Sequence, residues 1–313
     1  MNLAFVGCGN ITRRHARLLA KRHPEVQRFF ASRDAARADS CNRDLAGAGA
    51  FGTYEAAIGD ARVDTVFVAT PTAQHLELTL AALAGGKHVI VEKPPFMRSA
   101  DFTEVERAAM THGRRVFVAE NYYYRPLTRR LREVITSGAI GEVRYLIVKA
   151  LKEQKTGGWR NDEALAGGGA LFEGGIHWIN LLGGIGLTID TVHGYRPGRT
   201  DTIERSILVV ARYAEGAVGA LYHAWDTPSL LKGLRLSRIY GTSGSVAFES
   251  NGLFVAVAGP RPSISFPGLR DISGYGAMFD DFIECIRTGR EPEMTLARAR
   301  RDLELVEMAY RAV

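Results

Sequence analysis

Leu3-Ala4-Phe5-Val6-Gly7-Cys8-Gly9-Asn10-Ile11-Thr12 sets a short apolar run directly against a glycine-rich turn. A buried strand that runs into Gly-x-Gly and then opens a helix is the context a dinucleotide fingerprint requires. Gly7 permits the tight turn. Gly9 lets the backbone approach a pyrophosphate, which then meets the free N–H groups and positive dipole end of the helix at Asn10 and Ile11. The third glycine position of the fingerprint is Thr12, a departure from the pattern.

The same rhythm of short β-branched or aromatic runs and longer helical patterns continues beyond this turn. Gln27-Arg28-Phe29-Phe30-Ala31, Val63 to Thr70, Lys87 to Glu92 and Arg114 to Glu120 read as strands, with a helix from about Ser99 to His112 that takes Ser99 as its N-cap. Alternation of this kind predicts a doubly wound parallel sheet, a Rossmann-type domain over residues 1–120. Near Glu120 the rhythm breaks at Asn121-Tyr122-Tyr123-Tyr124-Arg125-Pro126, and a helix stopping at Ser137-Gly138 leads into a second domain over 121–313. Six strand-like runs follow in close succession, separated by glycine or charged turns, and such spacing favours antiparallel pairing. A glycine-rich entry at 167–175 leads into an apolar helix around Ile176 to Leu182, and helices over about Tyr275 to Thr288 and Leu296 to Ala312 close the chain.

The chain of 313 residues is 46% hydrophobic and 24% charged, which excludes disorder and small disulfide scaffolds and allows two cores. No apolar run approaches the roughly 20 residues of a membrane helix. The N-terminal run lacks the basic, apolar and small-residue regions of a signal peptide, and Cys8, Cys41 and Cys285 are odd in number and far apart, so a reducing cytoplasm is expected. The formal charge of +6 is spread over helices among acidic residues, with no helix-turn-helix or zinc-finger spacing, so no nucleic-acid partner is expected.

Four features carry chemistry. The second strand ends in Ala31-Ser32-Arg33-Asp34, where Ser32 and Arg33 suit a ribose 2′-phosphate and favour NADP, while Asp34, one position late, keeps NAD open. Thr70-Pro71 and Glu92-Lys93-Pro94-Pro95 follow the fourth and fifth strands, at the carboxyl edge of the sheet where ligands bind, which places Lys93 beside the cofactor. Glu173 and His177 are four apart, so on a helical turn the carboxylate orients an imidazole able to exchange a proton with a hydroxyl. No H-E-x-x-H or other metal-ligand spacing is present, so no metal is expected. Finally, Lys149, Lys152, Lys155, Arg160, Lys232 and Arg235 make the second domain basic, a weak hint of an anionic group on the substrate.

In this order the motifs resemble the Gfo/Idh/MocA oxidoreductases, the family of glucose-fructose oxidoreductase, inositol dehydrogenase and a rhizopine-catabolism protein. The resemblance covers almost the whole chain: Gly7 to Thr12, Thr70-Pro71 with His75, the Glu92-Lys93-Pro94 box, Ser137 to Val143, Trp159-Arg160, the triple glycine with Glu173 and His177, and Gly289-Arg290-Glu291-Pro292. It implies that Lys93 and His177 form the substrate site, with Glu173 in the place of the family's Asp and Asn180 where an acidic residue is common. His75 and Glu92 join the cofactor set, and Asn121, Tyr123, Trp159 and Arg160 are the further substrate-wall candidates. It also implies an open, mostly antiparallel sheet in the second domain, a site in the cleft between domains, and a homodimer or homotetramer. The expected reaction is hydride exchange between a secondary alcohol of a sugar, sugar derivative or cyclitol and NADP or NAD. The family also holds NAD-dependent glycosidase-like members, non-catalytic sugar sensors and reductases of unsaturated or imine substrates, which stay open as alternatives.

Overall fold

Six strands gather around aromatic rings in the first part of the chain. A computed structural model describes residues 1–158, 162–198, 203–228 and 233–311. The strands are β1 (Asn2–Val6), β2 (Gln27–Ala31), β3 (Gly49–Phe51), β4 (Thr65–Val68), β5 (His88–Val91) and β6 (Val116–Val118). All pair in parallel, in the order β3-β2-β1-β4-β5-β6. Runs such as Thr-Val-Phe-Val in β4 are buried throughout, because helices cover both faces of a doubly wound sheet and leave no wet face to alternate towards. Phe5 on β1 lies 5.6 Å from Phe30 and 5.2 Å from Phe67, ring centre to ring centre, so neighbouring strands share one aromatic core. The helices are α1 (Asn10–Arg22), α2 (Ala35–Asp44), α3 (Tyr54–Gly59), α4 (His75–Ala84) and α5 (Asp101–His112). α5 starts two residues later than expected and its N-cap is Ala100, not Ser99. In the turn before it, the Asp101 carboxylate accepts the Arg98 backbone N–H at 3.1 Å.

The second sheet has eight strands: β7 (Val143–Leu151), β8 (Ile189–Tyr195), β9 (Ser206–Tyr213), β10 (Val218–Ala224), β11 (Leu236–Gly241), β12 (Ser245–Glu249), β13 (Val255–Ala258) and β14 (Ser263–Ser265). Their order is β14-β13-β12-β11-β7-β10-β9-β8, antiparallel except where β7 and β10 run parallel. The helices of this part of the chain are α6 (Pro126–Thr136), α7 (Glu163–Ala166), α8 (Ile176–Gly184), α9 (Tyr275–Thr288) and α10 (Leu296–Arg311). One face of the sheet is covered: Tyr213 on β9 donates to the Leu182 carbonyl of α8 at 3.3 Å, and a Cβ on Gly194 of β8 would lie 2.4 Å from the Ala309 carbonyl oxygen of α10. The other face leaves Tyr145, Val218, Tyr222, Leu236 and Tyr240 exposed.

The chain forms two compact units, Met1–Ala119 with Met278–Ala299, and Glu120–Ala277 with Arg300–Val313. The span 121–313 expected for the second domain is therefore interrupted. The reason is packing: Phe279 of α9 meets the His15 ring at 5.2 Å and Phe67 at 6.1 Å, and Phe282 meets Phe117 at 5.0 Å, so α9 completes the core of the first unit. Among the described residues no helix is long and apolar enough to cross a membrane, and no group of three or more His, Cys, Asp or Glu could hold a metal ion.

Candidate active site

The strand order reverses between β1 and β4, and the turn after β1 sits at that switch point. Gly7 has φ +106° and an added Cβ would lie 2.5 Å from the Ala69 carbonyl oxygen, so no other residue fits there. Gly9 differs: a Cβ there meets nothing within 4 Å, and as N-cap of α1 it brings no side chain to the helix's first N–H groups. The turn thus offers bare donors beside open space, which fits a dinucleotide pyrophosphate. Thr12, the apparent departure, is fully buried and its hydroxyl donates to the Gly7 carbonyl at 2.6 Å, pinning the turn from within.

At the end of β2 the Ser32 oxygen accepts the Asp34 backbone N–H at 3.2 Å, and Asp34 caps α2 by accepting the Arg37 N–H at 3.3 Å. Arg33 is exposed near Tyr54, whose hydroxyl pKa is raised by burial and partly pulled back by Arg33 and Arg37. Arg37 donates to the Cys8 carbonyl of the glycine turn at 3.3 Å. Sequence reading missed Arg37, although its four-residue spacing from Arg33 at the head of a helix was the available signal. Cys8 is a buried thiol, pushed up to about 12 by burial and by the neighbouring Cys41.

The loops after β4 and β5 are tied together by His75. Its Nδ1 faces the Pro94 and Pro95 carbonyls at 2.9 and 3.2 Å, and its Nε2 the Thr70 carbonyl at 2.9 Å. Both ring nitrogens are therefore spent inside the unit, and His75, expected among the cofactor contacts, is a positioning residue that is 1% exposed. Glu92 is likewise turned inward: its Oε1 lies 2.8 Å from His15 Nε2, and its Oε2 accepts the Lys93 N–H at 3.2 Å. Burial pushes its carboxyl up, but the His15 hydrogen bond and the charges of His15, Lys93 and His75 outweigh that and hold it below the usual range. Lys93 itself is half-buried, and its peptide bond to Pro94 is cis.

In the second unit His177 stands in the first turn of α8, behind a π-helical turn over Leu171–Gly175 that contains the buried Glu173. Hydrogen bonds running i to i+5 replace the α-helical pattern there, so a four-residue spacing loses its α-helical alignment. The carboxylate found on the imidazole is Glu120, its Oε1 2.6 Å from His177 Nδ1, with side-chain exposures of 3% and 13%. The same oxygen accepts the Tyr122 N–H at 3.0 Å, which makes Glu120 the cap of the 3₁₀ turn Asn121–Tyr124. Tyr122 stacks on His177 with ring centres 4.4 Å apart and 12° between planes, and the Arg125 guanidinium lies 4.4 Å over its other side. A charge-assisted bond at Nδ1 fixes the tautomer and leaves Nε2 as the basic nitrogen.

Three residues per turn send the three tyrosines in different directions. Tyr123, expected at the substrate, instead lies under Arg132 at 4.5 Å, and Asn121 donates to the Ser273 carbonyl at 2.6 Å and is 4% exposed. Glu120 and Tyr122, which the sequence did not single out, are the residues found on the imidazole ring. Asn180 is buried and donates to Asp302 at 2.7 Å. Trp159 and Arg160 lie outside the described residues.

A parallel sheet whose strand order reverses beside a bare glycine turn defines a dinucleotide-binding fold, and the second unit carries a histidine held by a carboxylate. The chain belongs to the Gfo/Idh/MocA family: residues 1–120 match the model described as "Oxidoreductase family, NAD-binding Rossmann fold", and residues 128–247 match the GFO/IDH/MocA C-terminal domain. It is similar to 1,5-anhydro-D-fructose reductase of Ensifer adhaerens, 29% identical over 203 residues, 62% of this chain and 59% of that protein. It is also similar to D-glucoside 3-dehydrogenase of Escherichia coli (strain K12), 34% identical over 119 residues, 37% of this chain and 34% of that protein. The matches thus span less than two thirds of the length of either relative. Levoglucosan dehydrogenase, solved in complex with NADH and levoglucosan, shares the fold at TM-score 0.87 and 21% identity, over 100% of this chain and 96% of that one.

Proposed function

We propose that the chain is a dehydrogenase or reductase that exchanges a hydride between a nicotinamide dinucleotide and a secondary alcohol of a sugar, sugar derivative or cyclitol. The observation that carries this reading is the Glu120–His177 pair, 2.6 Å long and held by the Tyr122–Arg125 stack. His177 Nε2 takes the hydroxyl proton, and Glu120 stabilises the imidazolium that forms. Lys93 hydrogen-bonds the substrate oxygen and steadies its developing negative charge, the role the family resemblance implies. Glu173, Trp159 and Arg160 contribute to the substrate wall. The cofactor, when bound, supplies the hydride acceptor; the glycine turn and the head of α1 hold its pyrophosphate.

NADP is the favoured cofactor. Arg33 follows β2 and Arg37 reaches the glycine turn through the Cys8 carbonyl, while Asp34 is engaged as the cap of α2, which supports this reading. Two guanidiniums favour a 2′-phosphate, which a carboxylate would repel. NADPH should bind about tenfold or more tightly than NADH, and Arg33→Ala with Arg37→Ala should bring the two to parity. Tighter NADH binding by the wild type removes this preference.

The three cysteines are buried free thiols, which suits a reducing cytoplasm. The exposed tyrosines and aliphatics on the open sheet face suit a homodimer or homotetramer.

The test of the reaction is nicotinamide absorbance on a panel of sugars, cyclitols and their derivatives with both cofactors. The wild type should turn over at least one compound, with kcat lowered about a hundredfold or more in His177→Asn and Glu120→Gln and in Lys93→Ala. Absence of turnover across the panel, with cofactor binding intact, overturns the reading.

A further inference from the structure

Lys93 stands in a loop that two helices of the first unit hold. From α4, His75 faces the Pro94 and Pro95 carbonyls, and the Glu92 side chain takes the Lys93 N–H at 3.2 Å. The other Glu92 oxygen ends on α1, 2.8 Å from His15 Nε2. The imidazole is fully buried, with the Phe67 ring of β4 at 5.1 Å and the Phe279 ring of α9 edge-on at 5.2 Å. The two phenyl rings confine its plane, and the bond to Glu92 gives it a direction.

Burial pushes the Glu92 carboxyl up, and the His15 hydrogen bond leads the influences that bring it below its usual range. At neutral pH an ionised carboxylate therefore accepts from the Nε2–H of His15. With one oxygen held in this way the second is aimed, and it meets the Lys93 backbone. The Lys93 charge acts back on the same carboxylate. α1 carries another tie on the same buried face: Thr12, three residues before His15 and so beside it on the helix, donates to the Gly7 carbonyl at 2.6 Å. One turn of α1 thus grips the glycine turn at Thr12 and the Lys93 loop at His15. An apolar pair of similar volume is often as stable as a buried ionic pair or more so, and what it lacks is direction.

We propose that His15 is a positioning residue for Lys93: the imidazole aims Glu92, Glu92 holds the Lys93 backbone, and the helix that receives the cofactor thereby sets where the ammonium meets the substrate oxygen. The inference rests on the dehydrogenase reading, which gives Lys93 its role, and adds to it a residue that acts only through others.

The experiment compares His15→Gln, whose amide still donates to Glu92, with His15→Leu, which has no donor, and with the apolar pair His15→Leu/Glu92→Leu. Leu19→Ala, on the same buried face of α1, is the control for a loosened core. With the best substrate of the panel, His15→Leu and the apolar pair should lose kcat about tenfold or more while Kd for the dinucleotide stays within about twofold of wild type, and His15→Gln should recover most of the loss. Leu19→Ala should lower Tm and leave kcat unchanged. Should His15→Leu strand the Glu92 charge and fail to fold, the apolar pair carries the same test. Wild-type kcat in the apolar pair, or a loss in His15→Gln as deep as in His15→Leu, overturns the proposal. A readout free of substrate keeps this failure apart from failure of the dehydrogenase reading: the rate at which acetic anhydride acetylates Lys93 in cofactor-loaded protein, followed by peptide mass spectrometry. His15→Leu and the apolar pair should change that rate about threefold or more relative to the other lysines, and His15→Gln should not. An unchanged Lys93 rate overturns the proposal whether or not a sugar turns over. A changed rate with no turnover in the wild type leaves the hold of His15 on Lys93 in place and removes only the dehydrogenase reading.

Discussion

Gly7 and Gly9 sit two residues apart and answer to opposite constraints. The first is required by the protein's own backbone, with φ +106° and Ala69 pressed against it, whereas nothing in the protein crowds the second. Gly7→Ala should therefore lower Tm as well as abolish dinucleotide binding. Gly9→Ala should leave Tm of the cofactor-free protein within a degree or two, yet weaken the cofactor about tenfold or more, read by fluorescence titration. A Tm drop for Gly9→Ala as large as for Gly7→Ala would mean that the turn, not the ligand, requires both. His223 gives a second prediction. Its pKa is lowered from 6.5 to about 3, so across that interval the unfolded chain binds a proton that the folded chain refuses. Stability must fall as pH drops through this window, by up to about 1.4 kcal/mol per unit, and His223→Gln should flatten the slope in urea melts at about pH 4, 5 and 6. An unchanged slope would place the acid sensitivity in another group. Residue roles were only partly legible beforehand. His177 was visible, but the i, i+4 rule selected Glu173, and the carboxylate on the ring comes from Glu120, 57 positions away in sequence. A contact of that range leaves no periodic trace. The one local signal was an acidic residue directly before a short turn, the position of a cap.

At the level of elements, the turn after β1 shows how a broken motif keeps its geometry. Thr12 replaces the third glycine and donates to the Gly7 carbonyl from a fully buried position. Thr12→Val keeps the volume and removes the bond, and should cost about 1–3 kcal/mol in equilibrium unfolding together with a weaker cofactor, because the carbonyl is left unpaired. Stability equal to the wild type would show that the hydroxyl is incidental. Long elements were readable in advance: five of the six parallel strands as apolar runs, with the three-residue β3 missed, and α9 and α10 nearly to the residue. The short edge strands β13 and β14 were not, since four and three residues give alternation too little length to register. The parallel pairing of β7 with β10 was also invisible, because close spacing reveals hairpins but not which distant strand fills the other side. The π-turn over Leu171–Gly175 escaped for a related reason: its sequence reads as a helix entry, and the wider turn is set by packing, with the Gly174 backbone against Trp225.

For the whole molecule, the notable departure from the expected plan is α9. Met278, Phe279, Phe282 and Cys285 are fully buried, and the two rings complete an aromatic core begun by Phe67 and Phe117. A fragment of residues 1–119 should therefore lack cooperative unfolding and dinucleotide binding, whereas joining 275–299 to it by a flexible linker should restore both, as followed by calorimetry and titration. Cooperative melting of 1–119 alone would make α9 an accessory. The arrangement also bears on how the protein is made. Synthesis runs from the N-terminus, yet the first unit waits for Met278–Ala299 and the second waits for Arg300–Val313. Neither core can close before these segments have been made, so a nascent polypeptide that stops short of Met278 still shows the ribosome-side chaperones the apolar surface that α9 will cover. Maturation of the two units is thereby tied to one short stretch of chain, and a ribosome that stalls before Met278 releases a polypeptide in which neither unit is finished.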